Sequence, residues 1–189
     1  MTAEEIVYQV LDALDASGVP FMLVGSFSSN FYGIARSTQD AVFVVNLGNT
    51  APSEIALRLG PGFQLDPQMS FETITGTHRF VALHRASAFK VEFFLLSNDP
   101  HDQERFARRR HETMSGHHMY VASPEDVIIT KLRWSKGGNR KKDIEDVRNV
   151  IRVQESSIDW NYVEHWCTLH GTGDLLNRTR TEAASRGPA

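Results

Sequence analysis

The chain has 189 residues, of which 41% are hydrophobic, and its formal net charge is -3. This length and this apolar content are sufficient for one domain with a substantial core, or for one domain with a helical extension. The slightly negative charge excludes a global attraction to nucleic acid or to an anionic membrane surface, so any polyanion must bind at a local basic site.

No apolar run approaches the roughly 20 residues that a membrane-spanning helix needs. The first residues, MTAEEIVYQV, lack the basic and apolar regions of a signal peptide. We therefore expect a cytoplasmic protein without a membrane partner. The single cysteine, Cys167, excludes a disulfide within the chain.

The first part of the chain predicts a helix, two strands and a second helix. Thr2 and Glu5 have the capping-box spacing of a helix start, and apolar residues then recur on one helical face. The apolar runs PFMLVG and AVFVVNL predict two buried strands. The segment PSEIALRLG predicts a helix, because its proline suits the first turn and its glycine suits the C-cap.

The second part of the chain begins with a predicted hairpin and then becomes helical. The two strands of the hairpin are RFVALHR and AFKVEFFLL. Helix start and stop signals then define three helices, which are SPEDVIITKLRWSKGG, KKDIEDVRNVIRV and DWNYVEHWCTLHG.

We therefore predict an α/β protein of the α+β type, in which a small mixed β-sheet is flanked by helices. Residues 1–122 are expected to form this α/β core. Residues 123–178 are expected to form a helical C-terminal part packed on the core. Residues 179–189 are expected to be a flexible tail, because chain ends fray unless packing holds them.

A Gly-Ser turn follows the first predicted strand. Gly25 lets the backbone approach a ligand closely, and Ser26 at the start of the next helix offers free N–H groups and a hydroxyl. Phosphate is the ligand that such a helix start favours. A turn of this kind is more often a plain helix cap, so its meaning depends on the residues that follow.

Two carboxylates follow on predicted strands. Asp40 begins the second strand, where it would hold a divalent cation beside a phosphate, because Mg²⁺ prefers one or two carboxylates together with phosphate oxygens. Glu92 lies in FKVEFF, on the strand face opposite to its apolar neighbours. Each residue alone is more commonly a turn residue or an ion-paired side chain. The order and spacing of the combination favour a metal and phosphate site.

This combination resembles the nucleotidyltransferase-fold superfamily, the polymerase-beta-like group. It is most similar to the bacterial branch of minimal nucleotidyltransferases that includes abortive-infection toxins. The resemblance extends over about residues 20 to 170. The positions that carry it are Gly25-Ser26, Tyr32-Gly33, Arg36, Thr38, Asp40, Lys90-Val91-Glu92 and the run SPEDVIITKLRWSKGGNRKKDIEDVRNVI.

The resemblance implies transfer of a nucleoside monophosphate from a nucleoside triphosphate, such as ATP, to an acceptor hydroxyl. It implies that Asp40 and Glu92 are the catalytic residues and the ligands of Mg²⁺ or Mn²⁺, with Glu92 also accepting the acceptor's proton. The acceptor stays open between tRNA, protein and a small molecule, and the branch implies an antitoxin or toxin partner. The nucleotide-binding residues that it implies are Gly25, Ser26, Arg36 and Lys131.

The basic residues have alternative interpretations. Arginine binds phosphate as a fork and lysine as a point charge. The alternatives are a surface ion pair for Arg36 and a helix-face position for Lys131. Asp143 and Asp146 lie three residues apart on one helix face, and we expect them to orient basic side chains, Lys142 included.

Val42 departs from the family pattern, in which a second acid stands two residues after the first. Positions 40 and 42 of a strand face the same side, so the valine removes one metal ligand. Paired acids hold both cations in a two-metal transfer, and their loss impairs turnover. The chain is therefore either an impaired Mg²⁺-dependent nucleotidyltransferase or a nucleotide-binding or partner-binding protein without turnover. A natural degenerate member and an engineered inactive variant both account for Val42.

Overall fold

The computed structural model describes residues 1–138 and 140–185. The strands in these residues are β1 Phe21–Val24, β2 Asp40–Val45, β3 Phe63–Leu65, β4 Ser70–Glu72, β5 Thr77–His84, β6 Lys90–Leu95, β7 Arg110–Met114 and β8 His117–Val121. The helices are α1 Ala3–Ser17, α2 Gly25–Tyr32, α3 Pro52–Leu59, α4 Pro100–Ala107, α5 Pro124–Ser135, α6 Lys141–Gln154, α7 Trp160–His170 and α8 Gly173–Ser185. None of the described helices combines the length and the apolar character that crossing a membrane requires.

The strands form one mixed sheet in the order β3-β5-β6-β2-β1-β8-β7, with β4 paired to β5. The pairs β2–β6 and β1–β8 are parallel, and the other pairs are antiparallel. The predicted hairpin is confirmed as the β5–β6 pair. The prediction of a mixed sheet flanked by helices, with a helical C-terminal part, is also confirmed.

The chain divides into two compact units. Unit 1 consists of Met1–Val24 and Ser37–Ala122, and it contains the whole sheet with α1, α3 and α4. Unit 2 consists of Gly25–Arg36 and the chain from Ser123 onward, and it contains α2 and α5 to α8. This division differs from the predicted one, because α2 packs against α5 and α6 and therefore belongs to the helical unit.

A row of phenylalanines forms the core of unit 1 on one face of the sheet. Phe43 on β2 and Phe93 on β6 stack with ring centroids 5.7 Å apart, and Phe80 on β5 stacks on Phe93 at 4.8 Å. All three side chains are buried. Because successive side chains of a strand point to opposite faces, Val42 and Glu92 lie on the other face of the same strands.

Helix α1 covers unit 1 and begins with the predicted capping box. The Glu5 amide donates to Thr2 Oγ1 at 3.2 Å, and the Thr2 amide donates to Glu5 Oε2 at 2.7 Å. The helix then buries one apolar face, and it packs against α3 and β8. The prediction of a helix here, beginning at the Thr2–Glu5 capping box, is therefore confirmed.

Gly33 allows the end of α2 to approach the backbone of α6 within unit 2. A Cβ atom at this position would lie 3.0 Å from the Ser29 carbonyl oxygen and 3.0 Å from the Val150 amide nitrogen. The carbonyl of the buried Tyr32 accepts a hydrogen bond of 3.0 Å from Gln154 Nε2. The close packing of α2 on α6 thus requires glycine at position 33.

Helix α8 includes residues 179–185, for which the sequence predicted a flexible tail. That expectation was wrong for these residues, because Leu176, Thr179 and Ala183 are buried along one helical face. The face consists mainly of small or polar side chains, which give little helical signal in the sequence. Residues 186–189, the rest of the predicted tail, lie outside the described residues.

Candidate functional site

The two predicted metal ligands lie on adjacent strands of unit 1. Strands β2 and β6 are parallel, and their register places Asp40 opposite Lys90 and Val42 opposite Glu92. Register partners point to the same face of a sheet, so Asp40, Val42 and Glu92 share the face opposite to the phenylalanine row. All three residues are half-buried. We call these three residues the carboxylate face.

Thr38 orients the Asp40 carboxylate. The Thr38 hydroxyl donates to Asp40 Oδ1 at 2.7 Å, just before β2 begins. This hydrogen bond restricts the rotation of the carboxylate and helps to prepare it for a ligand on that face. The threonine belonged to the sequence pattern of the resemblance, and the structure supplies a physical reason for it.

Arg79 on β5 binds Glu92, and the sequence analysis missed this partner. Arg79 Nη1 donates to Glu92 Oε2 at 2.7 Å, while Arg79 Nε donates to Ser70 Oγ at 2.9 Å. Val81 is the register partner of Glu92, and Arg79 lies two residues before Val81 on the same face. Strand alternation in the predicted hairpin places every second residue of β5 on the face of Glu92, but the sequence does not specify which of them lies beside it.

The carboxylate face fits one Mg²⁺ ion better than a two-metal centre. Mg²⁺ in nucleotide sites takes one or two carboxylates and completes its octahedron with phosphate oxygens and water. Asp40 and Glu92 can supply those carboxylates, whereas Val42 supplies none. Within the described residues of unit 1, no third histidine, cysteine or acid forms a ligand cluster with them. Oε2 of Glu92 is already bound by Arg79.

Unit 2 contains a cluster of charged side chains that includes two of the predicted nucleotide-binding residues. Arg36 binds Asp146 with both sides of its guanidinium, from Nε to Oδ1 at 2.6 Å and from Nη2 to Oδ2 at 2.7 Å. Arg36 Nη2 also donates to Ser26 Oγ at 3.0 Å. Asp146 therefore holds the guanidinium beside the first turn of α2. We define the ion-pair cluster as Arg36, Lys131, Asp143 and Asp146.

Lys131 is the buried cation of the ion-pair cluster, with an exposed fraction of 7%. Its Nζ donates to Asp143 Oδ1 at 2.9 Å and to Asp146 Oδ2 at 2.8 Å. An ammonium group has three donors, so one N–H remains for a further acceptor. The prediction that Asp143 and Asp146 orient basic side chains is confirmed for Lys131.

Lys142 is not one of the cations that the two aspartates bind. Its side chain is exposed, and it forms no ion pair within the part of the chain that the structure describes. The physical reason is that Asp146 is only 2% exposed and faces inward, where Arg36 and Lys131 bind it. The inclusion of Lys142 in the sequence analysis was therefore wrong.

The pKa of Asp146 reflects this environment. Burial alone raises the pKa of the carboxyl group, but the hydrogen bond from Arg36 and the charge and hydrogen bond of Lys131 outweigh it. The net result is a pKa below the ordinary value of an aspartate. Asp146 is therefore an anion at neutral pH, as its role between two cations requires.

Gly25 and Ser26 begin α2 immediately after β1 in the chain. Gly25 has a φ of 69°, a left-handed conformation that glycine adopts without strain. The carbonyls of Gly25 and Ser26 accept hydrogen bonds of 3.0 Å from the hydroxyls of Ser28 and Ser29. The first turn of α2 contains no acidic residue, so it presents a helix start that is compatible with an anion.

Comparison with protein families gives one match that covers most of the chain. The family described as "Nucleotidyl transferase of unknown function (DUF2204)" matches residues 3–174. No curated protein matches the chain in sequence.

Solved structures with a similar fold include three nucleotidyltransferase-like proteins. The antibiotic-resistance factor ANT(2'')-Ia has a TM-score of 0.59 and 13% identity, over 96% of this chain and 100% of that chain. An antigenic nucleotidyltransferase-like protein from Paracoccidioides brasiliensis has a TM-score of 0.59 and 12% identity, over 96% and 94%. The lincosamide antibiotic adenylyltransferase LnuA, solved with lincomycin, has a TM-score of 0.54 and 12% identity, over 79% and 96%. These likenesses show that the chain has the nucleotidyltransferase fold.

Proposed function

The chain belongs to the family of nucleotidyl transferases of unknown function, and from this premise we propose that it transfers a nucleoside monophosphate from a nucleoside triphosphate to a small-molecule hydroxyl. The observation that carries the proposal is the carboxylate face, on which Asp40 and Glu92 lie on adjacent parallel strands. The small-molecule acceptor is supported by the fold neighbours. A structure of ANT(2'')-Ia contains adenylyl-2''-tobramycin, and LnuA is a lincosamide adenylyltransferase.

In the proposed reaction, the acceptor oxygen attacks the α-phosphorus of the triphosphate. A bond forms between these two atoms, the bond from the α-phosphorus to the bridging oxygen of the β-phosphate breaks, and pyrophosphate leaves with the electron pair. The acceptor proton passes to Glu92 Oε1, the carboxylate oxygen that Arg79 does not bind.

Asp40 and Glu92 are the residues that would hold a divalent cation. Such a cation, Mg²⁺ or Mn²⁺, neutralises charge on the triphosphate and aligns its α-phosphate when it is bound. Thr38 keeps Asp40 oriented, whereas Arg79 binds Oε2 of Glu92, an oxygen for which it competes with the cation. Asp40 and Glu92 are thus assigned to cation binding, and Glu92 Oε1 is also assigned to proton transfer.

The proposed contacts with the triphosphate come from the start of α2 and from the ion-pair cluster. Gly25 and Ser26 offer backbone N–H groups at a helix start. Arg36 binds Asp146 through Nε and Nη2, and the guanidinium that is held in this way is assigned to phosphate. Lys131 is assigned the same role through its third N–H. Asp146 positions both cations and does not itself contact phosphate.

Val42 favours a second candidate function, which is nucleotide binding without turnover. The valine stands two residues after Asp40 on β2 and opposite Glu92 on β6, where the family pattern has a metal ligand. One-cation binding and phosphate binding would survive the loss of that ligand, whereas the rate of transfer would fall. An antitoxin or toxin partner stays a prediction of the resemblance, and it belongs to this second candidate.

The proposal is tested by incubating the protein with each of the four α-³²P-labelled ribonucleoside triphosphates, with Mg²⁺ or Mn²⁺. Three acceptor pools are supplied in parallel: a panel of aminoglycosides and lincosamides, total RNA, and total protein. Label on a small molecule that depends on Asp40 supports the proposed function. Label that appears only on RNA or only on protein would show that the acceptor is that macromolecule and not a small molecule. Nucleotide binding without label on any pool supports the second candidate.

The matched control is Asp40→Asn, because asparagine keeps the shape of the side chain and removes its charge. A second control, Asp66→Asn, changes an acid of unit 1 that lies outside the carboxylate face. We expect transfer to be lost in Asp40→Asn and retained in Asp66→Asn. Equal transfer by both variants would contradict the assignment of Asp40.

A further inference from the structure

Unit 2 contains a cavity of about 540 Å³ between the end of α5, the first half of α6 and α8. Small-molecule sites in proteins have volumes of roughly 300 to 1,000 Å³, so this cavity has the size of a metabolite site. None of its lining residues belongs to the carboxylate face or to the ion-pair cluster. The cavity is therefore separate from the residues of the proposed function.

The lining of the cavity has an excess of positive charge. The charged residues that line it are Arg140, Lys141, Arg148, Arg178, Glu145 and Glu182. Four cations less two acids leave a net charge of +2. Arg148 binds both acids, from Nη1 to Glu145 Oε2 at 2.7 Å and from Nε to Glu182 Oε2 at 2.7 Å. Both acids thus bind one arginine, Arg148. The other three cations of the lining form no ion pair with either acid among the described residues.

Two of the remaining cations have no acidic partner in the described part of the chain. Lys141 and Arg178 are exposed and form no ion pair with any described residue. Arg140 binds Asp143 from Nε at 2.5 Å and lies over the Trp134 ring, 5.1 Å from its centroid. The tryptophan and the aspartate hold Arg140 in place, while Lys141 and Arg178 are available for a ligand.

The wall of the cavity adds neutral polar groups. Ser135 is 4% exposed, and its Oγ has no hydrogen-bond partner among the described residues. Helix α6 begins at Lys141, and its N-cap, Arg140, provides no side-chain hydrogen bond because a guanidinium has no acceptor. The positive end of a helix and an unpartnered buried hydroxyl therefore lie at the same cavity as the cations.

We propose that this cavity binds a small molecule with at least two phosphate-type anionic groups. Lys141, Arg178 and the start of α6 bind the anionic groups, because an arginine fork, a lysine and a helix N-terminus are the groups that recognise phosphate. Ile144 and Leu175 line the same cavity and contact the uncharged part of the ligand. A single surface phosphate contact would need neither this volume nor these apolar residues.

The test uses inorganic pyrophosphate as the probe, with EDTA present so that no divalent cation takes part. The full chain is labelled at the methyl groups of isoleucine and leucine, and methyl resonances are followed during the titration. We expect saturable shifts of the Ile144 and Leu175 methyl resonances. Lys141→Glu and Arg178→Glu should each weaken this binding at least about tenfold, because each variant replaces a charge-assisted contact with a repulsion.

Lys142→Glu is the matched control, since it makes the same charge change in the same turn of α6 at a residue that does not line the cavity. We expect this variant to bind pyrophosphate nearly as well as the wild type. The proposal is overturned if the two methyl resonances do not shift, or if Lys142→Glu weakens binding as much as Lys141→Glu does. Tighter binding of a single-stranded oligoribonucleotide, lost in the same two variants, would also overturn it in favour of a nucleic-acid site.

Discussion

Arg36 binds Asp146 through two parallel hydrogen bonds of 2.6 and 2.7 Å, although 110 residues separate them in the chain. The aspartate is 2% exposed, and it also accepts a hydrogen bond from Lys131. One carboxylate thus fixes two of the cations for which the sequence predicted phosphate contacts. The ion-pair cluster, with two cations and two acids, is consequently a structural element of unit 2.

The first prediction concerns the pH dependence of stability. The pKa of Asp146 is lowered in the folded state, whereas an unfolded aspartate has a pKa of about 3.9. The stabilisation by the ionised carboxylate is therefore complete above the unfolded pKa, and it is lost as the pH falls through the lower folded pKa. Asp146→Asn should destabilise the protein by about 3–5 kcal/mol at pH 7, because it removes the anion that the buried Lys131 and the half-buried Arg36 share.

Urea unfolding of the wild type and of Asp146→Asn between pH 7 and pH 3 measures this effect. The difference in unfolding free energy between the two proteins should shrink as the pH approaches and passes below about 4. Asp174→Asn, a change at an exposed acid of α8, serves as the control and should alter stability little at any pH. A constant difference between wild type and Asp146→Asn across this range would show that the ionisation of Asp146 is not responsible.

The second prediction concerns nucleotide binding by the start of α2 and by Arg36. A ligand of the folded state stabilises it by mass action, by about 2.7 kcal/mol at a concentration of 100 Kd. ATP should therefore raise the melting temperature of the wild type. The double variant Ser26→Ala, Arg36→Ala should show no such increase relative to its own melting temperature without ATP.

Differential scanning fluorimetry with and without ATP measures this shift. The control is Arg58→Ala, because Arg58 is an exposed arginine of α3 in unit 1. This variant should keep the full shift. If the double variant keeps it as well, Ser26 and Arg36 do not contact the triphosphate.

The third prediction concerns Arg79, which binds the Glu92 carboxylate at 2.7 Å. Arg79→Gln removes a cation that competes with a metal for Oε2, so it should tighten Mn²⁺ binding roughly tenfold, the change expected when about 1.4 kcal/mol of charge repulsion is removed. Water-proton relaxation by Mn²⁺ reports this affinity. Arg85→Gln is the matched control, since Arg85 follows β5 and is exposed. Weaker Mn²⁺ binding in Arg79→Gln would show that the arginine assists the metal site by holding Glu92.

Local sequence patterns were sufficient to predict the elements that carry the carboxylate face. Alternation along β6 placed Glu92 on the face opposite to Phe93, and the apolar run after Asp40 defined β2. The partnership of Arg79 with Glu92 depends on the register between two strands, which the sequence alone does not specify. Strands β3 and β4 were missed because each has only three residues, too few for a period to be visible.

Long-range ion pairs were the least predictable part of the molecule. Asp146 was expected to orient basic side chains, yet its partners Arg36 and Lys131 come from other helices or loops, 110 and 15 residues away. Lys142 was included among the expected partners on the basis of i,i+3 and tertiary pairs. Asp146 is instead buried against α5, where Lys131 binds it, and this burial follows from tertiary packing.

The last prediction concerns Val42, the register partner of Glu92 and the residue two positions after Asp40. An aspartate at position 42 would share a half-buried face with two other carboxylates, so without a cation it would be repelled by both. Val42→Asp should therefore lower the unfolding free energy of the metal-free protein by about 1 kcal/mol. A bound divalent cation reverses this effect, because its charge offsets the repulsion between the carboxylates and the third carboxylate adds a ligand to it. We expect Val42→Asp to bind Mg²⁺ at least about tenfold more tightly than the wild type.

Nucleotidyl transfer should rise together with the metal affinity of Val42→Asp. A gain of about 3 kcal/mol in transition-state stabilisation corresponds to roughly a hundredfold in rate. Isothermal titration with Mg²⁺ and transfer of labelled nucleotide to the same acceptor pools measure the two effects. Val42→Asn is the matched control, because it has nearly the same shape as the aspartate but no charge, so it should change neither quantity. If Val42→Asp and Val42→Asn behave alike, position 42 is not that of a missing metal ligand, and nucleotide binding without turnover becomes the better account of this chain.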